Sequence, residues 1–482
     1  MTGKKSFDIE IFKNPGSEYR SKPFWAWNSV LDEKELHRQI EIFKEMGFGG
    51  FHMHTRVGLA TEYMGNDFMN LISSCVKKAK EEEMLACLYD ENRWPSGFGG
   101  GKVSSHKEFA RRSLLFTSEK REKDVLEKEE AIKKGLDYFI ACFDIFLNSD
   151  GYLEKYRKIG EDEEAEGQKW YVYSYCERPS PWFCCQTYAD LMNKKAMDCF
   201  MESTHEKYKE IVGDEFGKTV PDIFTDEPCT APCGRKEKSD DLNDTFVPWT
   251  IDFDDTFYKK YKYHIIDYLP EIIWEIKDGY SFKRYCYHNH IAERFAEAFS
   301  DNIGSWCEKN NIAFTGHFNG EDSLTSQINL AGIDVMRGYR AFQYPGIDVL
   351  CDYYQNVIAL KQLQSAAHQY GRNHVMAELY GVTGWDYSFK GHKRQGDNLA
   401  VLGITERVHH LSWFSMKGNA KRDYPATINY QSPWYKEYSV IEDHFARLNT
   451  VLMRGKPVCD VGIIHNIESM WLTYGPIDLT KK

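Results

Sequence analysis

Residues 23–54 read PFWAWNSVLDEKELHRQIEIFKEMGFGGFHMH. Pro23–Asn28 is rich in aromatics and reads as a strand. Asp32–Met46 follows as a helix, because Leu36, Ile40, Phe43 and Met46 recur on one face. Asp32 is placed to cap its start and Gly47 to stop it. Gly49–His54 returns to strand. A helix joining two strands this closely is a crossover between parallel neighbours, the unit of an α/β fold.

The same rhythm extends outward. A helix over Asp67–Glu83 leads to a third strand, Met84–Tyr89, which ends at Asp90 and Glu91. From about Glu108 to Gln186 the rhythm breaks into β-rich stretches: Ser113–Thr117, Tyr138–Leu147 and Trp170–Cys176. It resumes with a helix over Ala189–Val212 and a strand over Asp222–Thr225 that runs into Asp226-Glu227-Pro228. A long polar loop and a helical region reach about Asn310. Strands are then predicted at Ile312–Thr315, Asp334–Gly338, Ile347–Leu350 and His374–Ala377, with a helix over Asn356–Tyr370. A last helix (Thr405–His410) and strand (Leu411–Met416) close the count near eight. The fold class is α/β, a (β/α)8 TIM-like barrel with an inserted β-rich region. The divisions are 1–107 for the first part of the barrel, 108–187 for the insert and 188–455 for the remainder. Beyond the amphipathic helix at Trp434–Arg454, residues 456–482 begin a following, truncated α/β domain, with Asp460–His465 as its buried strand.

Composition narrows the function. Of 482 residues, 42% are hydrophobic and 28% charged, enough for a large core. Twelve Trp and thirty Tyr exceed the needs of a core and lean toward sugar, whose apolar faces stack on rings. A net charge of −12 opposes phosphate backbones and excludes nucleic acid as a partner. No run of 18 apolar residues offers a membrane span. The polar start, Met1–Glu10, has no apolar core of a signal peptide, so the chain as it stands reads as cytoplasmic; a removed signal would leave the same trace. Thirteen scattered Cys fit free thiols, and zinc-ligand spacing is absent.

In such a barrel the C-terminal strand ends build the site. Here they carry Asn28, His52 and His54, Asp90 and Glu91, Asp226 and Glu227, His317, and Glu378. Unpaired charge is costly inside a barrel mouth, so this convergence points to function. Glycoside hydrolysis needs two carboxylates astride the scissile bond. Glu227 and Glu378 end what count as the fourth and seventh strands, on opposite sides of the mouth. Asp226, one residue from Glu227, faces the other side of an extended strand and reads as structural rather than catalytic. The loop Tyr89–Gly101 joins acids, Arg93 and Trp94 to a glycine run that lets backbone approach a ligand, and it lacks the ending of a phosphate loop. Two other chemistries stay open. His52-x-His54, with His317 and Asp226, could hold zinc as in metal-dependent amidohydrolases. The barrel could also bind sugar without cleaving it.

The motifs KPFWAWNSVLDEKELHRQIEIFKEMGFGGFHMHTRVGL, YDENRWPSGFGG, FTDEP, GHFNGED, PGIDVL and AELYGVTGW together resemble glycoside hydrolase family 106, typified by α-L-rhamnosidases. The resemblance spans most of residues 20–470 outside the insert. It implies a barrel catalytic domain, cleavage of terminal sugars such as α-L-rhamnosides with inversion, and Glu227 and Glu378 as the catalytic pair. By analogy with other barrel glycosidases, Glu227 is favoured as the acid and Glu378 as base or nucleophile. No cofactor is required, although a calcium ion near Asp226 is implied for some members. Substrate contacts are expected from Trp27, Asn28, His52, His54, Arg56, Asp90, Glu91, Trp94, His317, Glu321 and Trp385.

Overall fold

The computed structural model describes residues 8–352, 356–455 and 457–480; residues 1–7, most of the polar N-terminal stretch read above, lie outside it. The opening unit forms as its sequence dictates. Strand β1 (Phe24–Ser29) leads to a helix, Glu33–Glu45, and then to β2 (Gly50–Leu59), paired parallel to β1 with Trp25 opposite Met53. Asp32 caps the helix by accepting the Glu35 amide, and Gly47 beyond its end takes a φ of 84°. Along β1, Phe24 and Ala26 point into the barrel, while Trp25 packs on Phe43 and Trp27 on Phe68 of the surrounding helices. Leu36, Ile40 and Phe43 are fully buried, each contributing roughly 1.5–3 kcal/mol.

After β3 (Leu85–Tyr89) the chain leaves the barrel. It forms β4 (Arg112–Thr117), β5 (Tyr138–Leu147), β6 (Leu153–Ile159) and β7 (Gln168–Cys176), returns as β8 (Asp222–Thr225), and leaves again as β9 (Thr245–Trp249). Strands β10 (Ala313–Gly316), β11 (Tyr344–Val349), β12 (Met376–Leu379), β13 (Glu406–His409) and β14 (Ser412–Trp413) complete the strands of the described residues. Two sheets result. One is a nearly closed parallel barrel in the order β13-β12-β11-β10-β8-β3-β2-β1-β14. Strands β13 and β14 are two residues apart and share the eighth barrel position, β13 pairing β12 and β14 pairing β1. The other is an antiparallel sheet in the order β6-β5-β7-β4-β9. Its fifth strand, β9, comes from the long loop after β8, in the stretch read as polar loop, and pairs with β4.

Several local readings are corrected. Thr405–His410 holds a strand, Glu406–His409, not a helix. Val408 faces the barrel interior, while Arg407 and His409 face outward onto Glu442, so the alternation is hidden by polar residues that are buried in pairs. Asp334–Gly338 is a short helix, Val335–Gly338, capped by Asp334 accepting the Arg337 amide. The helix read over Ala189–Val212 begins at Lys194 and breaks at Thr204. Residues 460–465 form no strand and are not buried: Ile463 and Ile464 are 93% and 90% exposed, since no neighbouring strand among the described residues pairs with them. No helix of the described residues is long and apolar enough to cross a membrane.

Inside the barrel, Phe24, Tyr89, Phe224, Met376 and Val408 form an apolar layer. It separates two polar groups. At the N-terminal end, Lys22 pairs with Glu406, and Asp222 takes His52 and Cys87. At the C-terminal mouth lies the acidic cluster described next.

Candidate active site

Strand β8 directs Asp222, Phe224 and Asp226 inward by alternation. At Glu227 the backbone leaves the extended region, with φ at 47°. This left-handed turn in a non-glycine residue is costly and marks a held conformation. It corrects the expectation that Asp226 and Glu227 face opposite sides: both charges act on the same mouth. The turn is fixed by Ser96. Its amide donates to the Asp226 carbonyl at 2.7 Å, and its hydroxyl accepts the Asp226 amide at 2.9 Å and donates to Asp90 Oδ1 at 2.6 Å.

Glu378, in the seventh barrel strand, stands in a chain of buried groups. His317 Nε2 donates to its Oε2 at 2.7 Å and lies 3.7 Å from Asp226 Oδ1. The Tyr89 hydroxyl donates to Asp226 Oδ2 at 2.6 Å. On the other side, Glu378 Oε1 is 3.8 Å from His410 Nε2. Arg56 approaches His410 and His54 at 3.4 and 3.2 Å, pairs with Asp423 at 3.1 Å, and lies 4.0 Å over the Trp94 ring. Glu321 accepts the Asp348 amide at 2.6 Å and the Tyr339 hydroxyl at 2.7 Å.

The two candidate glutamates are driven apart in proton affinity. Burial raises Glu227, the charge of Asp226 raises it further, and its pKa reaches about 8. Burial also opposes ionisation of Glu378, but the bond from His317 and the charges of His317, His410 and Arg56 outweigh it and hold Glu378 below the usual carboxylate value. His317 is pushed the other way. Burial lowers it, yet the bond to Glu378 and the charges of Glu378, Asp226 and Glu321 keep its pKa well above that of free imidazole. Asp226 rises to about 6 and Glu321 to about 7, chiefly by burial; Asp348 is raised as well, and its Oδ1 is buried without a hydrogen-bond partner.

The expected residues divide. Glu227, Glu378, His317 and Glu321 come together with Asp226; His54, Arg56, Asp90 and Trp94 flank them. Trp27 packs outward under the helices. Asn28 is spent on the Ser415 backbone at 2.8 and 3.0 Å. His52 lies at the opposite barrel end, 3.0 Å from the Lys22 carbonyl and 3.1 Å from Asp222. Glu91 accepts the amides of Asn92, Gly97, Phe98, Gly99 and Gly100 and so holds its own loop. Trp385 is 44% exposed on the loop after β12. Sequence reasoning did not single out Asp348 or His410, although PGIDVL already set Asp348 in a strand.

Among the described residues, two groups come close enough to share an ion: Asp226, His317 and Glu378 in the mouth, and His52, Cys87 and Asp222 below. Neither holds both His52 and His54, so the zinc arrangement of an H-x-H pair is not assembled. The charged imidazole of His317 is a poor metal ligand. The carboxylate oxygens of Asp226 and Glu378 in the same group are better suited to a hard, oxygen-preferring cation.

The fold has a known counterpart. A rhamnosidase from Novosphingobium sp. PP1Y superposes with a TM-score of 0.64 at 13% identity, over 93% of this chain and 60% of that one, a likeness of fold. A protein from Formosa agariphila named "Putative beta-glucuronidase" is 25% identical over 282 residues, which are 56% of this chain and 22% of that protein. The chain thus spans about a fifth of the length of this relative and 60% of the rhamnosidase. The profile of glycoside hydrolase family 106, described as alpha-L-rhamnosidase, matches residues 177–473, a stretch that carries Glu227, His317, Glu321, Asp348 and Glu378. With more than half of its length matched by that profile, the protein belongs to glycoside hydrolase family 106, the alpha-L-rhamnosidase family.

Proposed function

We propose that the chain hydrolyses terminal α-L-rhamnosides with inversion, using Glu227 as the acid and Glu378 as the base. The observation that carries this reading is the opposed proton affinity of two glutamates at the fourth and seventh barrel strands. Near neutral pH Glu227 holds its proton and Glu378 does not. Glu227 protonates the glycosidic oxygen as the bond to the anomeric carbon breaks. Glu378 takes a proton from a water whose oxygen attacks that carbon from the opposite face. The alcohol leaves neutral, the sugar is released with inverted configuration, and solvent returns the two glutamates to their starting states. The bond from His317 occupies Glu378 Oε2 and leaves Oε1 for the water. Trp94, steadied by Arg56, offers a ring to the sugar.

Calcium, which the family resemblance implies, would be held at the Asp226 carboxylate in the mouth and would supply positive charge beside the sugar hydroxyls. Its removal by chelator is then expected to lower both activity and Tm, with recovery on added calcium and not on sodium.

The deciding assay is hydrolysis of aryl α-L-rhamnosides followed by NMR of the first-formed anomer. Glu378→Gln is expected to lose about 10³-fold or more on every leaving group. Glu227→Gln should lose far less on acidic phenols than on alkyl rhamnosides, because good leaving groups need no proton. Equal losses on both classes would remove Glu227 from the acid role, and a retained anomer would overturn inversion.

A further inference from the structure

The loop after β3 carries a cation that no acid among the described residues pairs with. Arg93 makes no hydrogen bond or ion pair among the described residues, and its Nε is buried without a partner. Its guanidinium lies 5.6 Å over the ring of Trp182, which the insert delivers to the rim. Trp182 donates its indole N–H to the Trp94 carbonyl at 2.8 Å and meets the Trp94 ring edge-on at 4.9 Å. Trp94 in turn lies against Arg56, which reaches His410 beside Glu378. A continuous path therefore runs from the catalytic glutamate outward over two tryptophan rings to Arg93. The other arginine on this path, Arg56, is already paired with Asp423.

A partly desolvated, unpaired guanidinium costs free energy unless an anion completes it. Its planar fork suits a carboxylate or a sulfate, and the adjoining rings suit the apolar face of a sugar. We propose that Arg93, Trp94 and Trp182 form a subsite for an anionic sugar at the outer edge of the cleft, a uronate or a sulfated residue. The acidic mouth repels such a group from the cleavage position, whereas Arg93 at the rim attracts it. The proposal rests on reading the mouth as a glycoside cleft.

The test is ligand-observed NMR titration of the full chain with methyl β-D-glucuronide, D-glucose 6-sulfate and methyl β-D-glucoside. At least one anionic probe should bind about tenfold more tightly than the neutral one, as one charge-assisted hydrogen bond provides. The tighter of the two anions names the source. Arg93→Ala should abolish the preference, and Arg93→Lys, which keeps charge without the fork, should retain part of it. Because Arg93 has no hydrogen bond or ion pair among the described residues to lose, only its ring contact with Trp182, Arg93→Ala should change the Tm little. Equal binding of all three probes, a preference that survives Arg93→Ala, or a clear fall in Tm would each overturn the subsite. No turnover is needed, so a failure to cleave rhamnosides would count against the proposed reaction and leave this readout intact.

Discussion

At the scale of single residues, Ser96 and Asp226 set the behaviour of Glu227. The Ser96 hydroxyl accepts the Asp226 amide and donates to buried Asp90, so one oxygen holds the turn whose left-handed φ aims Glu227 at the mouth. Ser96→Ala strands both partners, and urea unfolding should show a loss of about 1–3 kcal/mol. Activity should fall mainly in kcat, since the acid drifts while the sugar contacts stay. Asp226 acts through charge. After burial it is the largest influence raising Glu227 toward about 8. Asp226→Asn removes that charge, so the alkaline limb of the rate profile should move to lower pH. A limb that stays in place would mean that another group titrates there. The role of Asp226 was not legible in the sequence. Strict alternation separates it from Glu227, and only the backbone turn brings the two together.

At the scale of elements, the barrel was legible wherever a strand shows one apolar face and one helix-facing side, as in residues 23–54. It was hidden where polar pairs are buried: Glu406–His409 reads as anything but a strand until Lys22 and Glu442 are found opposite its acid and its basic residues. Strand β9 was missed because its partner β4 is distant in sequence, and pairing at that range leaves no local period. The loop after β3 illustrates a second limit. Its glycines were read as room for a ligand, and they serve a buried carboxylate instead. Gly97, Gly99, Gly100 and Gly101 all take positive φ, and the amides of the first three converge on Glu91. With Asn92 and Phe98 they make five amide donors, and burial still raises Glu91 to about 7. Glu91→Ala leaves five amides without their acceptor, and the loop carrying Arg93, Trp94 and Ser96 should loosen. Hydrogen exchange at the amides of residues 97–100 is expected to accelerate by at least about tenfold, more than at the β2 and β3 amides; uniform acceleration would indicate global destabilisation instead.

At the scale of the whole molecule, two populations of buried titratable groups oppose each other, and their balance sets a stability optimum. Burial lowers His205, His288, His290 and His392 to about 3 and His410 to about 4. The unfolded chain protonates these below roughly 6.5 while the native state keeps them neutral, so stability is lost as pH falls below that value. The mouth works the other way. Glu227 at about 8 and Glu91 and Glu321 at about 7 hold protons that the unfolded chain has already released above roughly 4.3, and His317 is raised in the same sense. Their contribution is complete at low pH and disappears as pH rises through the folded values. Between about 6.5 and 8 only this second population still titrates, so stability should fall across that interval. Tm should therefore peak near pH 6–6.5 and decline on both sides. Glu227→Gln carries no ionisable group at the highest of these positions. Its Tm should exceed that of the wild type by a margin that opens above the unfolded carboxyl value of about 4.3 and reaches about 2 °C or more at pH 8, while near pH 4 the two should nearly coincide. Catalysis and stability are thus expected to part at this residue: the change that stops protonation of the leaving group relieves the cost of a buried charge. A Glu227→Gln melt that tracks the wild type at both pH values would show that Glu227 ionises without penalty, and the acid assignment would fall with it.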